Sequence, residues 1–119
     1  MIKRQSLNIG QEFSDHPIGR YRSDGPSSGE VFCEDFLVPR LQKLGDDEKL
    51  EVVLDDGVDG FGSSFLDEAF AGVVKKGFMS SEELLSHLTF RYENPDFEFF
   101  RDKIREYVRE AKFNSAGQR

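Results

Sequence analysis

Cysteine is nearly missing from this chain of 119 residues. The single Cys33 can form no internal disulfide, which excludes a disulfide-stapled secreted scaffold and points to a reducing, cytoplasmic setting. With only two histidines, His16 and His87, beside that one thiol, a dedicated zinc centre is not expected, and no metal or cofactor is assigned. Long hydrophobic runs are lacking too. Nothing approaches the roughly 18 apolar residues of a membrane span, and no stretch resembles a signal peptide. Positive charge is in short supply: 16 Lys and Arg stand against 23 Asp and Glu, a formal net charge of −7. Nucleic acid is therefore not an expected partner, because neutralising phosphates needs a basic face.

What is present suits one compact domain, expected over residues 1–113, with 114–119 as a flexible tail. Twelve phenylalanines supply its core bulk. Residues 6–13 alternate (Leu7, Ile9, Phe13) and predict a strand, closed by the turn residues 15–19. Residues 20–23 predict a second short strand. Ser27 and Glu30 have the spacing of a capping box and predict a helix that starts at Ser27 or Ser28. Phe32, Phe36, Leu37, Leu41 and Leu44 continue it at helical spacing, while Pro39 predicts a kink or break near Val38. Residues 50–54 form the most apolar strand candidate. A second helix over 64–76 carries Phe65, Leu66, Ala69, Phe70, Val73 and Val74 on one stripe, with Asp67, Glu68, Lys75 and Lys76 away from it and Gly77 as terminator.

Ser80 with Glu83 predicts a short third helix, residues 88–92 a strand, and Asn94-Pro95 the capped start of a last helix with Phe97, Phe100, Ile104, Tyr107, Val108 and Ala111 inward. This element order implies crossover connections. The expected fold is α/β, a mostly parallel or mixed sheet of about four strands with flanking helices.

Several residues invite chemistry. Ser63 and Ser64 stand where a helix begins, so free amides and the helix dipole favour negative charge there. An ordinary cap, Ser64 with Asp67 three residues on, explains the same pattern. If the strands are parallel, the helix starts at 27–29 and 63–64 both open at the carboxyl edge of the sheet, where ligands commonly bind. A phosphate or nucleotide could then be held by Arg20, Ser28, Gly29 and Ser63; alternatively Arg20 pairs with Asp24 or Glu30 as a surface ion pair. Asp55, Asp56 and Asp59 would suit a hard cation, but acids interleaved with Gly57 and Gly60 equally serve a turn. Ser63 lacks the glycine two residues on that a nucleophile elbow needs. Cys33 reads as a small hydrophobe and His87 as a junction histidine.

Two segments carry a family resemblance: Gly19-Arg20-Tyr21 with Gly25-Pro26-Ser27-Ser28-Gly29-Glu30, and Ser63 to Phe70 (Ser-Ser-Phe-Leu-Asp-Glu-Ala-Phe). They resemble a STAS-like family of unknown function, related to the STAS domains of anti-sigma-factor antagonists, over about residues 6 to 112. In the antagonists the junction reads Asp-Ser-Ser or Asp-Ser-Thr, and its first hydroxyl is phosphorylated by a kinase that is also the anti-sigma factor. By position Ser63 corresponds to that phosphoacceptor, Ser64 to its neighbour and Gly62 to the Asp, while Phe65 replaces a small glycine. The resemblance implies a non-enzymatic regulatory interaction domain, docking through Gly62, Ser63, Ser64, Asp67 and the helix 64–76. It also implies the partner, a histidine-kinase-like ATPase or anti-sigma-like protein. The alternative is a nucleotide- or phosphate-binding sensor using the helix starts at Ser28 and Ser63.

Overall fold

The computed structural model describes residues 4–113, so the tail expected over 114–119 lies outside the described residues. Three strands, β1 (Arg4–Asn8), β2 (Lys49–Val53) and β3 (Leu88–Arg91), pair in parallel in the order β1-β2-β3. Leu7 lies beside Val52, and Val52 beside Phe90. Parallel neighbours need crossovers. Helix α1 (29–42) connects β1 to β2, helices α2 (63–75) and α3 (Ser81–His87) connect β2 to β3, and α4 (Glu98–Glu110) follows β3. With side chains alternating along a strand, Leu50, Val52 and Leu54 share one face and are fully buried in a core with Phe32, Phe65, Phe70, Leu84, Ile104 and Val108.

The sheet has three described strands where about four were expected. Residues 20–23 turn back on themselves instead, because the Asp24 carboxylate accepts the amides of Arg20 (3.1 Å) and Tyr21 (2.9 Å) and the chain winds through a 3-10 turn at Arg22–Asp24. β1 is also shorter than predicted. At Asn8 the side-chain oxygen accepts from Gln11 N (3.1 Å) and the Glu12 carboxylate accepts from Asn8 N (2.9 Å), so the chain coils through Ile9–Phe13 in one wide turn. Ile9 and Phe13 still reach the core, Phe13 meeting Phe32 edge-on at 5.2 Å.

Pro39 does not break α1. Ahead of it Phe32–Leu37 has the wider i→i−5 winding, with Val38 N donating to Cys33 O, and regular α winding resumes at Val38–Gln42. The proline thus falls in the first turn of a fresh α segment, where a missing donor costs least. The same α to π to α sequence recurs in α2, through Ser63–Leu66, Asp67–Ala71 and Gly72–Lys75. Gly77 ends α2 as expected. Its φ of +80° lets Phe78 N reach Val73 O and its own N reach Val74 O, each at 3.0 Å, a double closure that a side-chain-bearing residue adopts only with strain. The Ser80 hydroxyl accepts from Glu83 N at 3.2 Å, and the Asn94 side chain from Asp96 N at 2.9 Å, so both predicted caps form.

Candidate functional site

α2 begins at Gly62, the N-cap, whose backbone is extended (φ −77°, ψ 152°) and which offers no side-chain acceptor to the helix amides. The predicted Ser64–Asp67 cap is therefore not the one used: Ser63 and Ser64 are already in the first turn, and Asp67 is occupied elsewhere. Ser63 is exposed. It lines a small cleft of about 80 Å³ with Phe61, Leu66, Phe99, Phe100, Lys103 and Tyr107. One wall is the start of α2 and the loop before it; the other is α4. Phe61 stacks on Phe65 (5.8 Å between centroids) and meets Phe100 edge-on (5.5 Å), while Phe99 stands 61% exposed at the rim.

Phe65, which takes the place of a small glycine in the antagonist pattern, is fully buried among Phe13, Phe32 and Phe61. A Cβ added at Gly62 would meet nothing within 4 Å. Gly62→Asp is accordingly expected to supply the missing cap and raise stability by about 0.5–1 kcal/mol. Differential scanning calorimetry should read this as a melting temperature a few degrees higher.

The other anticipated groups separate from Ser63. Ser28, not Ser27, caps α1, its hydroxyl accepting from Val31 N at 3.3 Å, and it is fully buried. Glu30, the other half of the predicted capping box, instead accepts from Arg22 N at 2.8 Å. Gly29 is buried against α2, where an added Cβ would lie 2.6 Å from Phe65 O. The two helix starts are thus packed together rather than open to a shared anion. Arg20 pairs with neither suggested acid through its side chain: its guanidinium donates to Asp67 at 3.0 Å and lies 3.5 Å from Glu68.

Glu68, expected on the outer face, is 9% exposed, and Lys76 reaches both it (3.3 Å) and Glu34 (2.9 Å). Arg22 holds Glu34 and Asp35 together from the loop. A chain of ion pairs therefore ties the 19–25 loop to α1 and α2.

These pairings set proton affinities. Burial acts to raise the Asp67 carboxyl, but hydrogen bonds from Arg20 and Lys75 outweigh it and hold Asp67 below its ordinary 3.8. Burial likewise opposes, and bonds from Lys76 and Arg22 overcome, at Glu34, which stays below 4.5. Asp35 is lowered by the Arg22 bond. Groups depressed in the folded chain contribute stability that is complete above their unfolded values and lost as pH falls through the folded ones. The melting temperature should therefore hold from neutrality to about pH 5 and fall below it, less steeply in high salt. A thermal-melt series across that range checks this.

The acidic turn after β2 has structural employment. Asp55 accepts the amides of Glu93 (2.9 Å) and Asn94 (2.8 Å), and Asp56 accepts from Asn8 (2.8 Å) and Gln11 (3.2 Å). Among the described residues no group of three or more His, Cys, Asp or Glu is placed to hold a metal ion. A hollow of about 440 Å³ does lie at the carboxyl ends of the strands, lined by Asn8, Val53, Asp55, Asp56, Arg91, Glu93 and Asn94. The strand ends and the turns after them form it, not the starts of α1 and α2. Burial pushes the Cys33 thiol up to about 12, so it is protonated at neutral pH. His87 Nδ1 donates to Glu48 O at 2.9 Å, and neither histidine lines the Ser63 cleft.

Phe99 and Lys103 were missed in the sequence. The signal was there: in Phe97-x-Phe99-Phe100 three aromatic residues crowd one helical turn, and a single inward stripe cannot take them all.

No described helix is long and apolar enough to cross a membrane. No curated protein and no solved structure matches the chain. The family described as a STAS-like domain of unknown function matches over residues 28–98, a span that takes in α1, β2, α2, α3 and β3 together with the Ser63 junction. With that match covering more than half of its length, the chain belongs to the family of STAS-like domains of unknown function.

Proposed function

We propose that this chain is a non-enzymatic regulatory module that binds a partner protein at the cleft beside Ser63 and is switched by phosphorylation of that serine. The observation that carries the reading is the placement of an exposed hydroxyl, at the side-chain-uncapped start of a long helix, on the rim of an apolar cleft. Phe61, Phe99 and Phe100 give a partner's apolar side chain a surface to bury, and accessible aromatic groups of this kind are favoured anchors at interfaces.

A phosphate on Ser63 would bring about −1.5 to −2 charges to that rim and place a strongly hydrated group where the partner must shed water. Asp67, four residues on, would not repel it fully, because Arg20 and Lys75 already balance its charge. The family resemblance suggests a histidine-kinase-like ATPase or anti-sigma-like protein as the partner.

The test uses the full chain as bait in lysate of its native cell, with recovered proteins identified by mass spectrometry. Wild-type protein and Ser63→Ala are expected to recover an ATPase of that class, and Ser63→Asp at least about tenfold less, the loss that 1.4 kcal/mol of binding energy produces. Equal recovery by all three, or recovery of no such ATPase, would count against the reading.

A further inference from the structure

Among the described residues that line the Ser63 cleft, Lys103 is the one that carries a charge. Among the described residues its ammonium has two contacts, both loose: Glu106 on its own helix at 3.6 Å, and the face of Phe99 at 5.7 Å from the ring centroid. Exposed ion pairs and exposed cation–π contacts contribute little, so neither anchors the side chain. Two acids on the same helices have other partners. Asp67 is held by Arg20 and Lys75, and Asp102 is held by Arg101 at 2.9 Å. A flexible cation thus stands across a cleft of about 80 Å³ from the hydroxyl on its opposite wall.

We infer that Lys103 is the cation that receives a phosphate on Ser63, leaving Glu106 to bridge α4 to α2 across the cleft. The inference rests on the reading of Ser63 as the modified hydroxyl and names how the modification acts. In the transfer itself, Ser63 Oγ forms a bond to the γ-phosphorus of a nucleoside triphosphate as the bridging oxygen leaves with the diphosphate, and the hydroxyl proton passes to a base on the kinase. The product carries two ionisable oxygens beside a primary ammonium, a pairing stronger than Lys103 has with a single carboxylate. Once made, the bridge lies over Phe61 and Phe99 and closes the apolar cleft to a partner side chain. Lys103 is a positioning residue here: it touches the phosphate and fixes where its charge sits.

The experiment installs phosphoserine at position 63 of the full chain during synthesis and follows its second ionisation by phosphorus NMR. In the otherwise unaltered chain the second pKa is expected about half a unit lower than in Lys103→Gln, a shift sized for an exposed pair. Lys103→Arg should keep the shift, and added salt of about 0.5 M should shrink it. Coincident titrations of the unaltered chain and Lys103→Gln overturn the inference, as does Lys103→Arg titrating with the Gln variant. No kinase is needed to make the sample. Absence of phosphate on Ser63 in protein from the native cell would thus remove the proposed switch without touching this comparison.

Discussion

Phe32→Ala is expected to cost about 4 kcal/mol of folding stability and to lower the melting temperature by roughly 15 °C. Phe32 is fully buried at the middle of an aromatic cluster, with ring centroids at 5.2 Å from Phe13, 5.7 Å from Phe70, 6.0 Å from Phe65 and 6.4 Å from Phe36. Those four rings come from the turn after β1, from α1 itself and from α2. Removing the ring therefore opens a cavity that no single neighbour can fill, and the lost transfer and cavity terms add. A chain of this size has on the order of 5–15 kcal/mol to lose. Phe99→Ala is the matched control, since 61% of that residue is already in solvent and its loss should move stability by less than about 0.5 kcal/mol. Chemical denaturation of both variants, with midpoint and slope compared to the parent, gives the two numbers.

That cluster also shows what could be read from the sequence. Phe65, Leu66, Ala69, Phe70, Val73 and Val74 are all buried, as their helical spacing requires, and the apolar strand candidate at 50–54 is the central strand β2. Periodicity reports which face an element buries, and the residues of that stripe are buried on both sides of the stretch of wider winding at Asp67–Ala71. It cannot report what a polar residue pairs with across the fold. Glu68 looks like an outer-face charge from its neighbours, yet Arg20, 48 positions earlier, and Lys76 make its burial tolerable. Residues 20–23 were expected as a short strand, but the Asp24 carboxylate captures two of their amides and turns the chain. For the site, the Ser63 junction was visible from motif and capping arguments, whereas its opposite wall of Phe99, Lys103 and Tyr107 comes from a helix about 40 residues away in sequence. Local pattern carries no information about that meeting.

Gly29→Ala should cost about 3 kcal/mol, with a melting temperature lower by roughly 10 °C, although alanine is the better helix former by about 1 kcal/mol. The added methyl would lie 2.6 Å from Phe65 O, 2.9 Å from Glu68 Cβ and 3.0 Å from Ala69 N, and two of those three atoms are backbone of α2 that no rotamer change can move. Relief requires α1 and α2 to part. Because Phe65 belongs to the first turns of α2, parting them shifts the helix start that presents Ser63, so the variant should also weaken partner recovery at temperatures where it remains folded. Gly29 would have had a different role in a phosphate site between the two helix starts: bare backbone left open for an anion's close approach. The contact with Phe65 O assigns its missing side chain to helix packing instead. The two uses differ in what added phosphate does: ligand held between the helix starts would raise the melting temperature of the parent chain by mass action and fail to do so for Gly29→Ala. Packing alone predicts no phosphate-dependent shift in either protein and a stability loss that is the same with and without the anion.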